Sequence, residues 1–151
     1  MTFIRHHAAT LASRLEEPRR HLQVVAGARQ VGKTTLVRQV TSAIGRPVVY
    51  ASADEPALRG REWLGQQWQA ARDAVASGAD GAILVLDEVQ KLHGWAETVK
   101  RLWDEDTRRA VPLHVVLLGS APLLVQRGLG ESLAGRFEVI RLPHWSLAEM
   151  R

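Results

Sequence analysis

Residues 24 to 37 read VVAGARQVGKTTLV. Two glycines, a lysine and two threonines stand between apolar runs, and the fold turns on what this stretch is. Gly27-Ala28-Arg29-Gln30-Val31-Gly32-Lys33-Thr34 matches G-x-x-x-x-G-K-[ST] at every fixed position. Gly27 and Gly32 permit backbone angles that a side chain disfavours, so successive amide N–H groups can point inward at one anion. A helix opening near Lys33 adds its positive end and unpaired donors. Lys33 brings a charge to the β- and γ-phosphates of a nucleotide, and Thr34 brings a hydroxyl to Mg²⁺. Thr35 is placed to reach the α-phosphate. A phosphate loop needs a strand before it and a helix after it; a coincidental glycine turn needs neither.

The flanking sequence supplies that context. LQVVA (22–26) is a short apolar strand, and Leu36, Val37, Val40 and Ile44 mark one face of a helix stopped by Gly45 and Pro47. Upstream, Ile4, Ala8, Leu11 and Leu15 predict an N-terminal helix that EEPRR (16–20) ends. Downstream, VVYA (48–51) reads as a strand. A helix over about 61–77 carries Leu64, Trp68, Ala71 and Val75, and SGADG (77–81) breaks it. AILVL (82–86) lacks polar alternation, as a strand covered on both faces does. A helix over about 94–105 turns Trp95, Val99, Leu102 and Trp103 inward, and strands follow at 113–119 and 137–142. DEDTRR (104–109) reads as a solvated helix end. The pattern predicts an α/β fold, a three-layer sandwich with a mainly parallel five-stranded sheet. It reads as a single domain, with residues 1–20 as an N-terminal helix and 21–151 as the core.

Three further segments carry candidate chemistry. In AILVLDEVQ (82–90), Asp87 and Glu88 fall at the carboxyl end of a strand, the edge where open α/β sheets bind ligands. Asp87 suits Mg²⁺, an oxygen-seeking ion, and Glu88 suits the polarising of an attacking water. Otherwise the pair simply caps the strand. In VVLLGSAPLLV (115–125), Ser120 either senses the γ-phosphate from the end of a central strand or is a turn residue. In ESLAGRFEVIRL (131–142), Arg136 either acts as an arginine finger on a neighbouring subunit's nucleotide or is a surface arginine.

Composition excludes several classes. Among 151 residues there is no cysteine, which removes disulfides, thiolate metal sites and cysteine nucleophiles. Apolar residues at 46% and charged residues at 24% suit a folded globular chain. No apolar run approaches the roughly 20 residues that cross a bilayer, and the N-terminus lacks a signal-peptide core. A soluble, cytoplasmic protein without a membrane partner is expected. The net charge is +4 and 17 of the 20 basic residues are arginine, scattered or in short pairs such as Arg19–Arg20. Solvated surface charge accounts for this, and contact with DNA is only permitted by it. His6 and His7 are adjacent and suggest no metal site.

Phosphate loop, acidic pair and strand-end serine, in this order, resemble the AAA+ branch of P-loop ATPases. The segments GARQVGKTTLVRQV, LVLDEVQKLHGW, VVLLGSAPLL and ESLAGRFEVIRLPHWSLAEM look like a prokaryotic family whose ATPase domain precedes a C-terminal domain of unknown function. The resemblance covers about residues 20–150. It implies strand order 5-1-4-3-2, ATP and Mg²⁺ on Lys33 and Thr34, Asp87 and Glu88 serving metal and water, and Ser120 as the sensor. The family usually has proline where this chain has Ala28 and serine where it has Ala121; neither change removes a catalytic group. By the same resemblance the sequence ends before the helical lid and the C-terminal domain. The expected activity is Mg²⁺-dependent ATP binding with slow hydrolysis, possible homo-oligomers supplying the finger. A nucleotide-gated module that binds protein or DNA with little turnover is the alternative. A GTPase is disfavoured, because no N-K-x-D motif occurs; a P-loop kinase would use Glu88 to orient a hydroxyl instead of water.

Overall fold

A computed structural model describes residues 2–27, 32–53, 61–78, 80–120 and 132–142. Helix α1 (Thr2–Glu16) leads into strand β1 (Leu22–Gly27), and α2 (Lys33–Ile44) into β2 (Val48–Ser52). Then come α3 (Arg61–Val75), β3 (Ala82–Asp87), a 3-10 turn (Val89–Lys91), α4 (Trp95–Arg109), β4 (Leu113–Gly119) and β5 (Phe137–Leu142). The five strands form one sheet in the order β2-β3-β4-β1-β5, and every neighbouring pair is parallel. Read from the other side this is the expected 5-1-4-3-2.

Apolar residues on both faces of the strands create two cores. Val24, Leu84, Leu86, Val115 and Leu117 join Trp68 of α3 and Trp95, Val99, Leu102 and Trp103 of α4 on one face. Val25, Ile83, Val85, Val116 and Leu118 join Leu11 and Leu15 of α1 and Leu36, Val37 and Val40 of α2 on the other. Neighbouring strand residues point to opposite faces, which is why these strands read as unbroken apolar runs in the sequence. Trp63, Trp68, Trp95 and Trp103 are expected to pack on the sheet: Trp68, Trp95 and Trp103 are buried, and Trp63 is partly buried against the same core.

Two readings of charged residues need correction. The run at 104–109 is the end of α4, with Thr107, Arg108 and Arg109 exposed, but it is not solvated throughout: Asp106 is completely buried. Its carboxylate accepts from the Trp68 indole at 2.8 Å and from Arg72 Nε at 2.8 Å, bolting α3 to α4. Nor is Arg19 plain surface charge. Its guanidinium lies 3.4 Å from the Trp103 ring centroid and donates to the carbonyls of Leu113 and Trp103 and to the Thr107 hydroxyl. This cation–π contact and the three hydrogen bonds clamp the α1–β1 connection onto α4.

At the amino-terminal edge of the sheet, the chain passes too close to itself for a side chain at Gly81. A Cβ there would stand 2.0 Å from the Pro112 carbonyl oxygen, and φ is +93°. An open groove of about 940 Å³ lies at this edge, lined in part by Glu17, Arg19, Arg46, Asp80, Pro112 and His114. His114 is bound on both ring nitrogens, to the Glu17 carbonyl at 2.8 Å and to Arg46 at 3.2 Å. Among the described residues no helix is long and apolar enough to cross a membrane.

Candidate functional site

The carboxyl edge of β1, β4 and β3 gathers the candidate residues. Ala26 of β1 pairs with Gly119 of β4, and Asp87 of β3 with Leu118, so Gly27, Ser120 and the acidic pair emerge side by side. The chain leaving β1 enters α2 on one face, and the chain leaving β3 enters α4 on the other. Such a divergence of connections opens a crevice at the strand ends.

Ala28, Arg29, Gln30 and Val31 lie outside the described residues, but both ends of their loop are described. Gly32 has φ +87°, a left-handed conformation that glycine adopts without strain, and it precedes the first turn of α2. The first helical bond there runs from Leu36 N–H to the Gly32 carbonyl at 2.9 Å. The amides of Lys33, Thr34 and Thr35 precede that first helical bond, Gly32 brings no side-chain cap, and no acid stands in the first turn. The positive end of α2 faces the crevice unneutralised by its own helix. Lys33 is buried, at 7% exposure, and its Nζ donates to the Gly27 carbonyl at 3.0 Å, reaching back across the loop.

The acidic pair is fixed by its backbone on both sides. The Asp87 carbonyl accepts from Ala53 N–H at 2.9 Å, and the Glu88 N–H donates to the Leu118 carbonyl at 2.8 Å. Glu88 has φ +57°, an uncommon conformation for a residue with a Cβ. The Gln90 amide donates to Glu88 Oε2, and Gln90 is itself buried at 1% exposure. At the end of β4, the Ser120 hydroxyl is buried and has no hydrogen-bond partner among the described residues.

Two residues at this site escaped the sequence reading. Gln90 was legible only as part of a motif tail. Tyr50, the single tyrosine of the chain, donates its hydroxyl to Asp87 Oδ2 at 2.9 Å. The Thr34 side chain stands beside the same hydroxyl, and the Arg38 guanidinium lies 4.4 Å from the ring centroid. Burial pushes the phenol above its ordinary pKa of 10.0; Thr34 opposes that shift and Asp87 adds to it, so at neutral pH the hydroxyl keeps its proton.

Arg136 stands elsewhere. It immediately precedes β5, and its carbonyl accepts from Leu22 N–H at the start of β1, so it lies at the sheet edge opposite the crevice. Its guanidinium forms a two-pronged bond with Asp104, at 2.8 and 3.0 Å, which holds the Asp104 carboxyl below its usual range.

A family model described as an AAA domain matches residues 19–151. The chain belongs to this AAA-domain family. Domains of the family bind nucleotides. No curated protein matches the chain.

Proposed function

We propose that this AAA domain binds ATP with Mg²⁺ at the carboxyl edge of β1, β4 and β3 and hydrolyses its γ-phosphate slowly. The observation that carries the reading is the meeting of Lys33, Asp87, Glu88 and Ser120 at one edge, beside the uncapped start of α2.

The residues fit the metal. Thr34 and Asp87 offer a hydroxyl and a carboxylate, all-oxygen donors of the kind Mg²⁺ prefers, and Tyr50 bonds to Asp87 and stands beside Thr34. When bound, Mg²⁺ would offset charge on the β- and γ-phosphates. The remaining work falls to the protein. By the motif, Gly27 through Thr35 cradle the phosphates. Lys33 leaves the Gly27 carbonyl for the phosphate oxygens, where its charge is better matched. Glu88 takes a proton from water as the water oxygen bonds to the γ-phosphorus and the β–γ bridging bond breaks, releasing ADP and phosphate. Gln90 holds the Glu88 carboxylate in place, and Ser120 meets the γ-phosphate or the water.

Arg136 enters this scheme only in trans, on the nucleotide of another copy, and would have to exchange Asp104 for phosphate. Specific activity that rises with protein concentration supports that role, and flat specific activity removes it. The scheme as a whole is tested by phosphate release from Mg·ATP: turnover lost in Glu88→Gln with nucleotide binding kept supports it. Equal turnover in both proteins overturns it.

A further inference from the structure

Tyr50 lies on the α2 face of the sheet, in the edge strand β2, with its backbone paired to Val85. Two residues on, Ser52 pairs with Asp87. Tyr50 thus sits diagonally behind Asp87, in reach of both that carboxylate and the first turn of α2. Its hydroxyl bonds to Asp87 Oδ2 at 2.9 Å and stands beside the Thr34 side chain. Arg38, one turn along α2 from Thr34, covers the ring at 4.4 Å and fixes its plane. One hydroxyl therefore binds one of the two side chains that would ligate the cation and stands beside the other, from two different elements of the fold.

We propose that Tyr50 is a positioning residue of the cation site, its hydroxyl setting the separation and orientation of the Thr34 and Asp87 oxygens. The proposal rests on the Mg²⁺-nucleotide reading above. Groups that orient metal ligands in this way typically govern affinity for the metal by about 10- to 100-fold. Phenylalanine keeps the ring, its packing against the α2-side core and the Arg38 contact, and removes only the hydroxyl.

The test compares wild type with Tyr50→Phe in two titrations: a fluorescent ADP analogue in excess EDTA, and Mn²⁺ at fixed ADP followed by electron paramagnetic resonance. The expected result is metal half-saturation about 10-fold higher in Tyr50→Phe, with metal-free ADP affinity within about 2-fold of wild type. A second readout uses the protein's one tyrosine. Subtracting the Tyr50→Phe spectrum isolates its near-ultraviolet absorption, which should shift when Mn²⁺ is added to the wild-type ADP complex. Equal metal half-saturation in the two proteins overturns the role of Tyr50 and leaves the nucleotide reading standing. An equal loss of metal-free and metal-dependent affinity assigns Tyr50 to general structure and also overturns it. Wild type that binds no ADP, or binds it without regard to metal, overturns both.

Discussion

The Lys33 ammonium donates to the Gly27 carbonyl at 3.0 Å, joining the last residue of β1 to the first residue of α2. A buried ammonium bound to a neutral carbonyl gains from a charged acceptor, because bonds between charged partners are the stronger ones. The backbone that brings these two residues together also aims the start of α2 at the same point.

Glu88 and Gln90 make a pair whose contributions separate kinetically. Glu88→Gln should keep nucleotide affinity and lower turnover by about 10²-fold or more, the range for losing a general base. Gln90→Leu removes the amide that holds Glu88, and turnover should fall by about 10-fold with binding unchanged, a hydrogen bond to a charged group being worth about 1.5 kcal/mol. Rate measurements at saturating ATP decide the matter; a Gln90→Leu protein as fast as wild type shows that Glu88 needs no such hold.

Asp106 is the structural counterpart. Its side chain is inaccessible and carries the only described link between the Trp68 indole and the Arg72 guanidinium. Asp106→Ala leaves a buried indole N–H unpaired and strips Arg72 of its nearest carboxylate, at a cost of about 3 kcal/mol in unfolding free energy. Urea unfolding measures it directly. A change below about 1 kcal/mol, the usual size for an exposed pair, would mean that the carboxylate is solvated after all.

Helix and strand placement was legible because both cores come from apolar periodicity. Strands buried on two faces read as AILVL or LHVVLLG, and the motif at 27–34 fixed the order of β1 and α2. Charged residues were read less well. DEDTRR looks like solvated charge in one dimension, and only the packing of α3 on α4 puts a tryptophan and an arginine beside its third member. Tyr50 belongs to no motif. Its link to Asp87 depends on the β2–β3 register, and its link to Thr34 depends on where α2 lies over the sheet.

His114 predicts a pH dependence. Burial lowers its pKa below the ordinary 6.5; the bond to the Glu17 carbonyl opposes the shift, and Arg46 and Arg19 reinforce it. Above 6.5 both folded and unfolded forms are neutral and the contribution is full. As pH falls below 6.5 the unfolded chain gains a proton that the folded chain refuses, so stability declines until the lowered folded pKa is reached. Urea midpoints should therefore drop between about pH 7.5 and 5.5, and His114→Gln should flatten part of that slope. A His114 ring resonance titrating at or above 6.5 contradicts the prediction.

The most direct measurement is the melting temperature of wild type and Lys33→Ala, each with and without Mg·ATP. At one hundred times Kd, a ligand bound only by the folded state adds about 2.7 kcal/mol, which for a chain of this size raises Tm by about 5–10 °C. A nucleotide site at the Gly27–Thr35 loop predicts that shift in wild type and its loss in a folded Lys33→Ala. An equal shift in both proteins, or none in folded wild type, contradicts it.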